Sequence, residues 1–327
     1  MTQLAVAITP SRLADVCDPA TRDLIEQRFR PVWADEDLDA DQLAELLTGA
    51  EAVLTSWGTP TIPEQFLGTD QVRAVGHAAG TVKRLVPESA LDDGVAVFSA
   101  AGRIAWSVGE WCLAACLTMW RRLGDYDRHQ RTGGWKPDQF RGDELAGARI
   151  GIVGASSTAR AFLTLLAPFT PDVVVYDPFL SPDAAAELGV RPVSLAEVME
   201  CPLVSVHVPN LPATEGMITA ELLDRMPVGG LLINSSRAAA IDNEALFARI
   251  VQGRLRAALD VYDPEPAQLP EEILASHDLL LTPHIAGDST HGHLALTGHV
   301  LRDMVRFLDT GEHGPSWVDP ARWAVLA

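Results

Sequence analysis

The stretch that decides the fold runs from Ile150-Gly151-Ile152-Val153 through Gly154-Ala155-Ser156-Ser157-Thr158-Ala159 to Val173-Val174-Val175-Tyr176-Asp177. Two short, nearly continuous apolar runs flank a segment, Ala159–Ala167, with helical spacing, and a glycine-bearing turn joins the first run to it. Strands buried on both faces of a parallel sheet read in this way, so the stretch predicts a βαβ unit. A glycine turn that opens a helix lets backbone N–H groups and the helix N-terminus hold a pyrophosphate. The fingerprint for that task is G-x-G-x-x-G/A, and this chain has Gly154-x-Ser156-x-x-Ala159. Alanine serves the third position, which concerns helix–strand packing. Serine at the second is a departure: its Cβ enters the space where backbone approaches phosphate, although its hydroxyl could donate to a phosphate oxygen. Asp177 ends the second run near the ~20-residue spacing of the acidic residue that binds ribose hydroxyls. Read alone, it could simply cap the turn at Pro178. Read with the glycine turn in one βαβ frame, it points to dinucleotide binding. A carboxylate there repels a 2′-phosphate and so favours NAD over NADP.

Outward toward the C-terminus, Leu203–Val206, Leu231–Ile233, Ala257–Leu259 and Leu279–Leu281 are further buried-strand runs, with helical spacing over Ala220–Met226 and Asn243–Val251. Gly154, Asp177, His207, Ser235 to Arg237, Asp260 and His284 follow the runs, at the carboxyl edge where open α/β sheets bind ligands. Toward the N-terminus, Leu4–Ile8, Ala52–Ser56, Val72–Gly76 and Val95–Ser99 read as strands and Arg12–Phe29 and Asp41–Leu47 as helices, a second parallel series. Between the series, Ile104 to about Asp127 reads as one long apolar helix carrying Trp106, Trp111, Leu117 and Trp120, and Gly133-Gly134 breaks the pattern.

The 327 residues suit two domains. With 47% apolar and 21% charged residues the chain is neither disordered nor fibrous. Its formal charge of −19 repels phosphate backbones and anionic lipid, so neither nucleic acid nor membrane is an expected partner. No apolar run approaches the ~18 residues of a membrane span, and Leu4–Ile8 is too short for a signal peptide. Cys17, Cys112, Cys116 and Cys201 form no C-x-x-C pair and read as core thiols, which suits a cytoplasmic location.

Three residues near the ligand edge carry usable chemistry. Arg237 can grip a carboxylate or carbonyl oxygen with two parallel hydrogen bonds. His284, in Thr282-Pro283-His284-Ile285, can exchange a proton near neutral pH. The stiff turn Asp263-Pro264-Glu265-Pro266 can hold a carboxylate against that imidazole, and spacing leaves the choice between Asp263 and Glu265 open. A serine hydrolase built on Ser235 or Ser236 is disfavoured, because neither lies in a G-x-S-x-G elbow. His291, His293 and His299 make a poor metal site, and no metal is expected.

With these residues in place, the chain resembles the D-isomer-specific 2-hydroxyacid dehydrogenase family. The resemblance is carried most specifically by Val204-Ser205-Val206-His207-Val208-Pro209, Asn234-Ser235-Ser236-Arg237, Ala258-Leu259-Asp260-Val261-Tyr262-Asp263-Pro264-Glu265-Pro266 and Thr282-Pro283-His284-Ile285-Ala286-Gly287. It implies an α/β chain of two doubly wound parallel-sheet domains. A Rossmann NAD-binding domain (104–285) would be inserted into a flavodoxin-like substrate domain (1–103 and 286–327). It implies that Arg237 binds substrate, that His284 is the acid/base and that Glu265 is its partner. Backbone amides of the turn Ala79-Gly80-Thr81 would meet the substrate carboxylate. NAD contacts would fall on Gly154, Ser156, Ser157, Thr158, Asp177, Val208, Pro209, Thr214, Ser235, Ser236, Asp260, Ala286 and Gly287. A homodimer through the nucleotide domains is also implied. Ile104 and Val82 depart from the family's usual Asn and Asp or Asn, which leaves substrate identity open. Lys83 and Arg103 nearby could serve a second anionic group on a small anionic substrate. The expected activity is therefore NAD(H)-dependent interconversion of a small 2-oxo acid and its D-2-hydroxy acid. The alternative is a catalytically idle NAD-binding sensor on the same fold.

Overall fold

The computed structural model describes residues 1–169 and 172–325. It divides into two compact units, one formed by residues 1–104 and 288–327 and the other by 105–287. The first unit holds β1 (Gln3–Ala7), β2 (Arg30–Trp33), β3 (Ala52–Thr55), β4 (Ala74–His77) and β5 (Ala96–Ser99), all parallel, in the order β2-β1-β3-β4-β5. That is the flavodoxin-like order. Alternate residues of each strand enter opposite cores. Leu4, Val6, Leu54 and Phe98 face the layer closed by Leu296, Val300, Leu301 and Met304 of the helix Leu296–Thr310. Ala5, Val53, Val75 and Val97 face Leu43, Leu47 and Leu91 on the other side. Both faces are thus covered, as a parallel sheet requires.

The second unit holds β6 (Ile150–Val153), β7 (Val173–Tyr176), β8 (Arg191–Pro192), β9 (Leu203–Val206), β10 (Gly230–Asn234), β11 (Leu255–Leu259) and β12 (Leu279–Leu281). Its sheet is parallel throughout, in the order β12-β11-β10-β9-β6-β7-β8. This is the Rossmann 3-2-1-4-5-6 order with one further strand. The chain reverses its direction of strand addition between β6 and β9, so the crevice above Gly154 is the topological switch point.

Several expected elements differ in extent, each for a local reason. The single helix expected over Arg12–Phe29 is two, Pro10–Val16 and Pro19–Arg28. Pro19 cannot continue a helix, and Asp18 before it is extended and accepts a hydrogen bond from Thr21 N–H at 2.8 Å. The long helix runs Ala101–Trp120 and restarts as Leu123–Arg131, interrupted at Arg122, whose φ is +54°. The helix expected over Ala220–Met226 stops at Leu223. The edge strands β2 and β8 were not legible in the sequence. Each contains a proline, and edge strands alone tolerate it. All four cysteines are buried and unpaired, in keeping with core thiols. Among the described residues no helix is long and apolar enough to cross a membrane, and no group of three or more His, Cys, Asp or Glu is arranged for a metal ion.

Candidate active site

Because every strand of the second sheet is parallel, Gly154, Asp177, His207, Ser235 to Arg237, Asp260 and His284 share one edge. The tightest construction there is the turn after β12. Asp260, at the end of β11, is fully buried, and its carboxylate accepts three hydrogen bonds. Thr282 Oγ1 and Ile285 N–H donate to Oδ1 at 2.6 and 2.8 Å, and Ala286 N–H donates to Oδ2 at 2.7 Å. Tyr262 adds a clasp from outside: its hydroxyl donates to the carbonyls of Leu259 (3.0 Å) and Thr282 (2.9 Å). Burial first, and then the charge of Asp260, pushes that phenol up to about 12, so it stays a donor. Held between these bonds, His284 has φ +56°. The left-handed region is uncommon for residues other than glycine, and surrounding bonds must hold a side-chain-bearing residue there.

The result is an exposed imidazole aimed by its neighbour. His284 Nδ1 lies 2.8 Å from Glu265 Oε2, and Glu265 Oε1 accepts from Tyr262 N–H at 3.1 Å. An ionised carboxylate can only accept, so the ring carries a proton on Nδ1 and turns Nε2 outward. Partial burial raises the Glu265 carboxyl. The hydrogen bonds from His284 and Tyr262, with the positive charges of His284 and Arg237, outweigh that and hold it below the usual range. It is therefore the anion of the pair at neutral pH. The choice left open by spacing falls to Glu265, the carboxylate that contacts the ring. Arg237 is half-buried and within electrostatic reach of Glu265. Its backbone is fastened by the fully buried Asn234 at the end of β10. The Asn234 amide donates to the Arg237 carbonyl (3.0 Å), while Asn234 Oδ1 accepts from Ser236 N–H (3.0 Å) and Oγ (2.9 Å). Arg237 Nη1 donates to the Ser236 carbonyl at 2.7 Å.

On the nucleotide side, Gly154 has φ +89°, and a Cβ there would stand 2.7 Å from the His207 carbonyl oxygen, so only glycine fits. Asp177 reaches back across the turn: its Oδ2 accepts from Ala155 N–H at 2.7 Å and its Oδ1 from Phe179 N–H at 2.8 Å. Ser156 precedes the helix Ser157–Leu166 but does not cap it, and the N–H groups of Ser157 and Thr158 take no partner among the described residues. Unspent donors at a helix N-terminus behind a glycine turn suit a pyrophosphate, so the residues fit NAD. Thr214 lies in the loop after β9, where its hydroxyl donates to the Pro209 carbonyl at 2.6 Å beside the buried Val208. Ser235 Oγ contacts Cys112 Sγ at 3.2 Å, and Ala286 and Gly287 follow the His284 turn. His207 faces inward instead: fully buried, it is pushed down to about 3 by burial and is neutral.

Ala79, Gly80, Thr81, Lys83 and Arg103 belong to the first unit. Arg103 lies at the start of the helix Ala101–Trp120, whereas the other four follow β4 in a turn tied from within: Ser99 Oγ donates to the Gly80 carbonyl at 2.5 Å. His77 is buried, its ring nitrogen Nδ1 2.9 Å from Thr55 Oγ1. Burial lowers its pKa to about 4, and a backbone hydrogen bond at Thr81 partly opposes that. The N–H groups of Gly80 and Thr81 have no protein partner among the described residues. Sequence reasoning did not single out Tyr262, Asn234, Ser99 or His77. A polar residue at the last or next position of a buried strand was the available signal for three of them.

Residues 113–286 match the family model described as D-isomer specific 2-hydroxyacid dehydrogenase, NAD binding domain. The D-3-phosphoglycerate dehydrogenase of Mycobacterium tuberculosis is 30% identical over 318 residues, which is 97% of this chain and 59% of that protein. The chain therefore spans only part of the length of that relative. A phosphoglycerate oxidoreductase from Rhizobium etli has a similar structure, with TM-score 0.83 and 24% identity over 98% of this chain and 99% of the other. So does a D-2-hydroxyisocaproate dehydrogenase, with TM-score 0.78 and 19% identity over 97% and 99%. The chain belongs to the D-isomer-specific 2-hydroxyacid dehydrogenase family, and its second unit carries that family's NAD-binding domain.

Proposed function

We propose that this chain interconverts a small 2-oxo acid and its D-2-hydroxy acid with NAD(H). In this reading His284 is the acid/base, Glu265 its partner and Arg237 the substrate-binding cation. The observation that carries the proposal is the Glu265–His284 pair, 2.8 Å apart on a turn clamped by a buried carboxylate at the sheet's ligand edge. Bound nicotinamide supplies a hydride to the substrate's carbonyl carbon in one direction and accepts it in the other. Reduction also needs a proton on the carbonyl oxygen. His284 delivers it from Nε2, while Glu265 accepts from Nδ1–H and keeps the ring aimed. Arg237 binds the substrate carboxylate and polarises the carbonyl through its planar fork. The first unit acts as substrate domain, with Gly80 and Thr81 offering free N–H groups to the carboxylate. Lys83 and Arg103 serve any second anionic group on the substrate. The second unit holds NAD through Gly154, Ser156 to Thr158, Asp177, Val208, Pro209, Thr214, Ser235, Ser236, Ala286 and Gly287, while Asp260, expected among these contacts but fully buried, braces the turn that carries the last two. The working form is a cytoplasmic homodimer joined through the nucleotide domains.

The experiment is a panel of 2-oxo acids with NADH, followed by loss of nicotinamide absorbance. At least one member is turned over by the wild type. His284→Ala abolishes that turnover while binding NADH with nearly unchanged affinity. A wild type that binds NADH and reduces no 2-oxo acid, or an alanine variant that loses cofactor and turnover together, overturns the assignment.

A further inference from the structure

The serine at the second fingerprint position is tied to a chain of polar groups that leads into the domain core. Ser156 Oγ lies 2.9 Å from Thr158 Oγ1, Thr158 Oγ1 lies 3.2 Å from His207 Nδ1, and His207 Nε2 lies 2.8 Å from Ser205 Oγ. His207 and Ser205 are almost wholly buried, and Phe162 packs near the imidazole with ring centroids 5.9 Å apart. A serine before a helix is among the best capping residues, yet this one leaves the helix Ser157–Leu166 uncapped. Its hydroxyl is engaged by Thr158 instead.

We infer that Ser205, His207 and Thr158 form a positioning relay that holds Ser156 off its own helix, so that the Ser156 hydroxyl and the first N–H groups of that helix meet the cofactor's pyrophosphate together. A neutral imidazole donates from one nitrogen and accepts at the other, so the relay needs one direction. The distances allow either direction, and the one that serves a phosphate has Ser205 O–H donating to Nε2, Nδ1–H donating to Thr158 Oγ1 and Thr158 O–H donating to Ser156 Oγ. In that direction the hydroxyl proton left over from the relay is that of Ser156, before the helix Ser157–Leu166. Every step depends on His207 remaining neutral, which its burial secures. A hydrogen bond to an ionised phosphate is among the stronger kinds, so the serine becomes a donor that a glycine could not supply. On this reading the departure from G-x-G-x-x-A is a substitution of a side-chain donor for close backbone approach. The Ser156 hydroxyl would touch the cofactor, while the Thr158 hydroxyl and the His207 ring would act through it, apart from the Thr158 N–H at the helix start.

The test is equilibrium binding to the full chain, read by fluorescence of bound NADH and by competition with ADP and with adenosine. Thr158→Val keeps the side chain's shape but removes its hydroxyl, freeing Ser156 to cap the helix. It should weaken NADH and ADP about tenfold and leave adenosine, which has no phosphate, within twofold. Ser156→Gly restores the fingerprint glycine and should also weaken ADP. Combining Ser156→Gly with Thr158→Val should add little to either alone, because both remove one interaction. Thr158→Val should also lower the melting temperature by several degrees, because the N–H of the buried His207 loses its partner, so the adenosine arm is what separates the relay from a general loss of structure. ADP binding that is unchanged in Thr158→Val overturns the relay. So does parallel loss of ADP and adenosine, which would indicate a merely structural threonine. Tighter ADP binding by Ser156→Gly would show that the serine is only an obstruction.

Discussion

Replacing Asp260 by Asn probes the link between fold and chemistry most directly. The carboxylate satisfies three donors in a fully buried place: Thr282 Oγ1 at 2.6 Å, Ile285 N–H at 2.8 Å and Ala286 N–H at 2.7 Å. An asparagine keeps one oxygen, which can serve Thr282 and Ile285. Its amide nitrogen then faces the Ala286 N–H, donor against donor. The loss is one charge-assisted bond, with a buried N–H left unsatisfied, about 2–4 kcal/mol together. For a folding unit of 150–250 residues each kcal/mol shifts the melting temperature by about 2–4 °C, so a fall of ~4–16 °C follows. The chemical consequence should be larger than the thermal one. His284 keeps its φ of +56° only because the bonds around it oppose relaxation. A turn that relaxes by about 1 Å can cost ~100-fold in rate. Scanning calorimetry, steady-state kinetics on a substrate found in the panel, and NADH titration measure the three effects separately. Thr282→Val, which removes one donor and leaves the carboxylate in place, should give a smaller thermal shift of the same sign. A melting temperature within 2 °C of wild type, or a full rate in the asparagine variant, would refute the claim that this carboxylate holds the turn.

Gly154→Ala forces a Cβ to within 2.7 Å of the His207 carbonyl oxygen at φ +89°. The variant should lose a few kcal/mol of stability and bind NADH at least tenfold more weakly, as calorimetry and fluorescence titration would show; unchanged melting and binding would contradict the backbone argument. The acid limb of stability should come in part from buried neutral histidines. His77 titrates at about 4 and His207 at about 3 in the folded chain, against 6.5 for an unperturbed histidine. Between those values the unfolded state binds protons that the native state refuses, so stability falls as pH drops from about 6.5 toward 4 and is insensitive to these groups above 7. His77→Asn should flatten that limb in urea titrations at pH 7.5 and 5; an unaltered slope would assign the acid sensitivity elsewhere.

The two sheets, their parallel sense and the edge that carries the chemistry follow from local pattern. Runs such as Val173–Tyr176 and Leu203–Val206 are too short and too uniformly apolar to be anything but strands buried on both faces, and each delivers its polar residue to the same end. Arg237, Glu265 and His284 were legible because they stand in ordered blocks at those ends. What local pattern could not decide was where each side chain turns. Asp260 and His207 occupy equivalent strand-end positions, yet one spends its carboxylate on a neighbouring turn and the other points into the core. That outcome depends on which polar partners non-adjacent strands bring within hydrogen-bonding distance. The choice of Glu265 over Asp263 at the imidazole is of the same kind, since two carboxylates two residues apart differ only in where the folded turn aims them. A sequence sets the periodicity of burial along the chain. Hydrogen bonding is directional and short-ranged, so its pairings exist only once the strands are stacked.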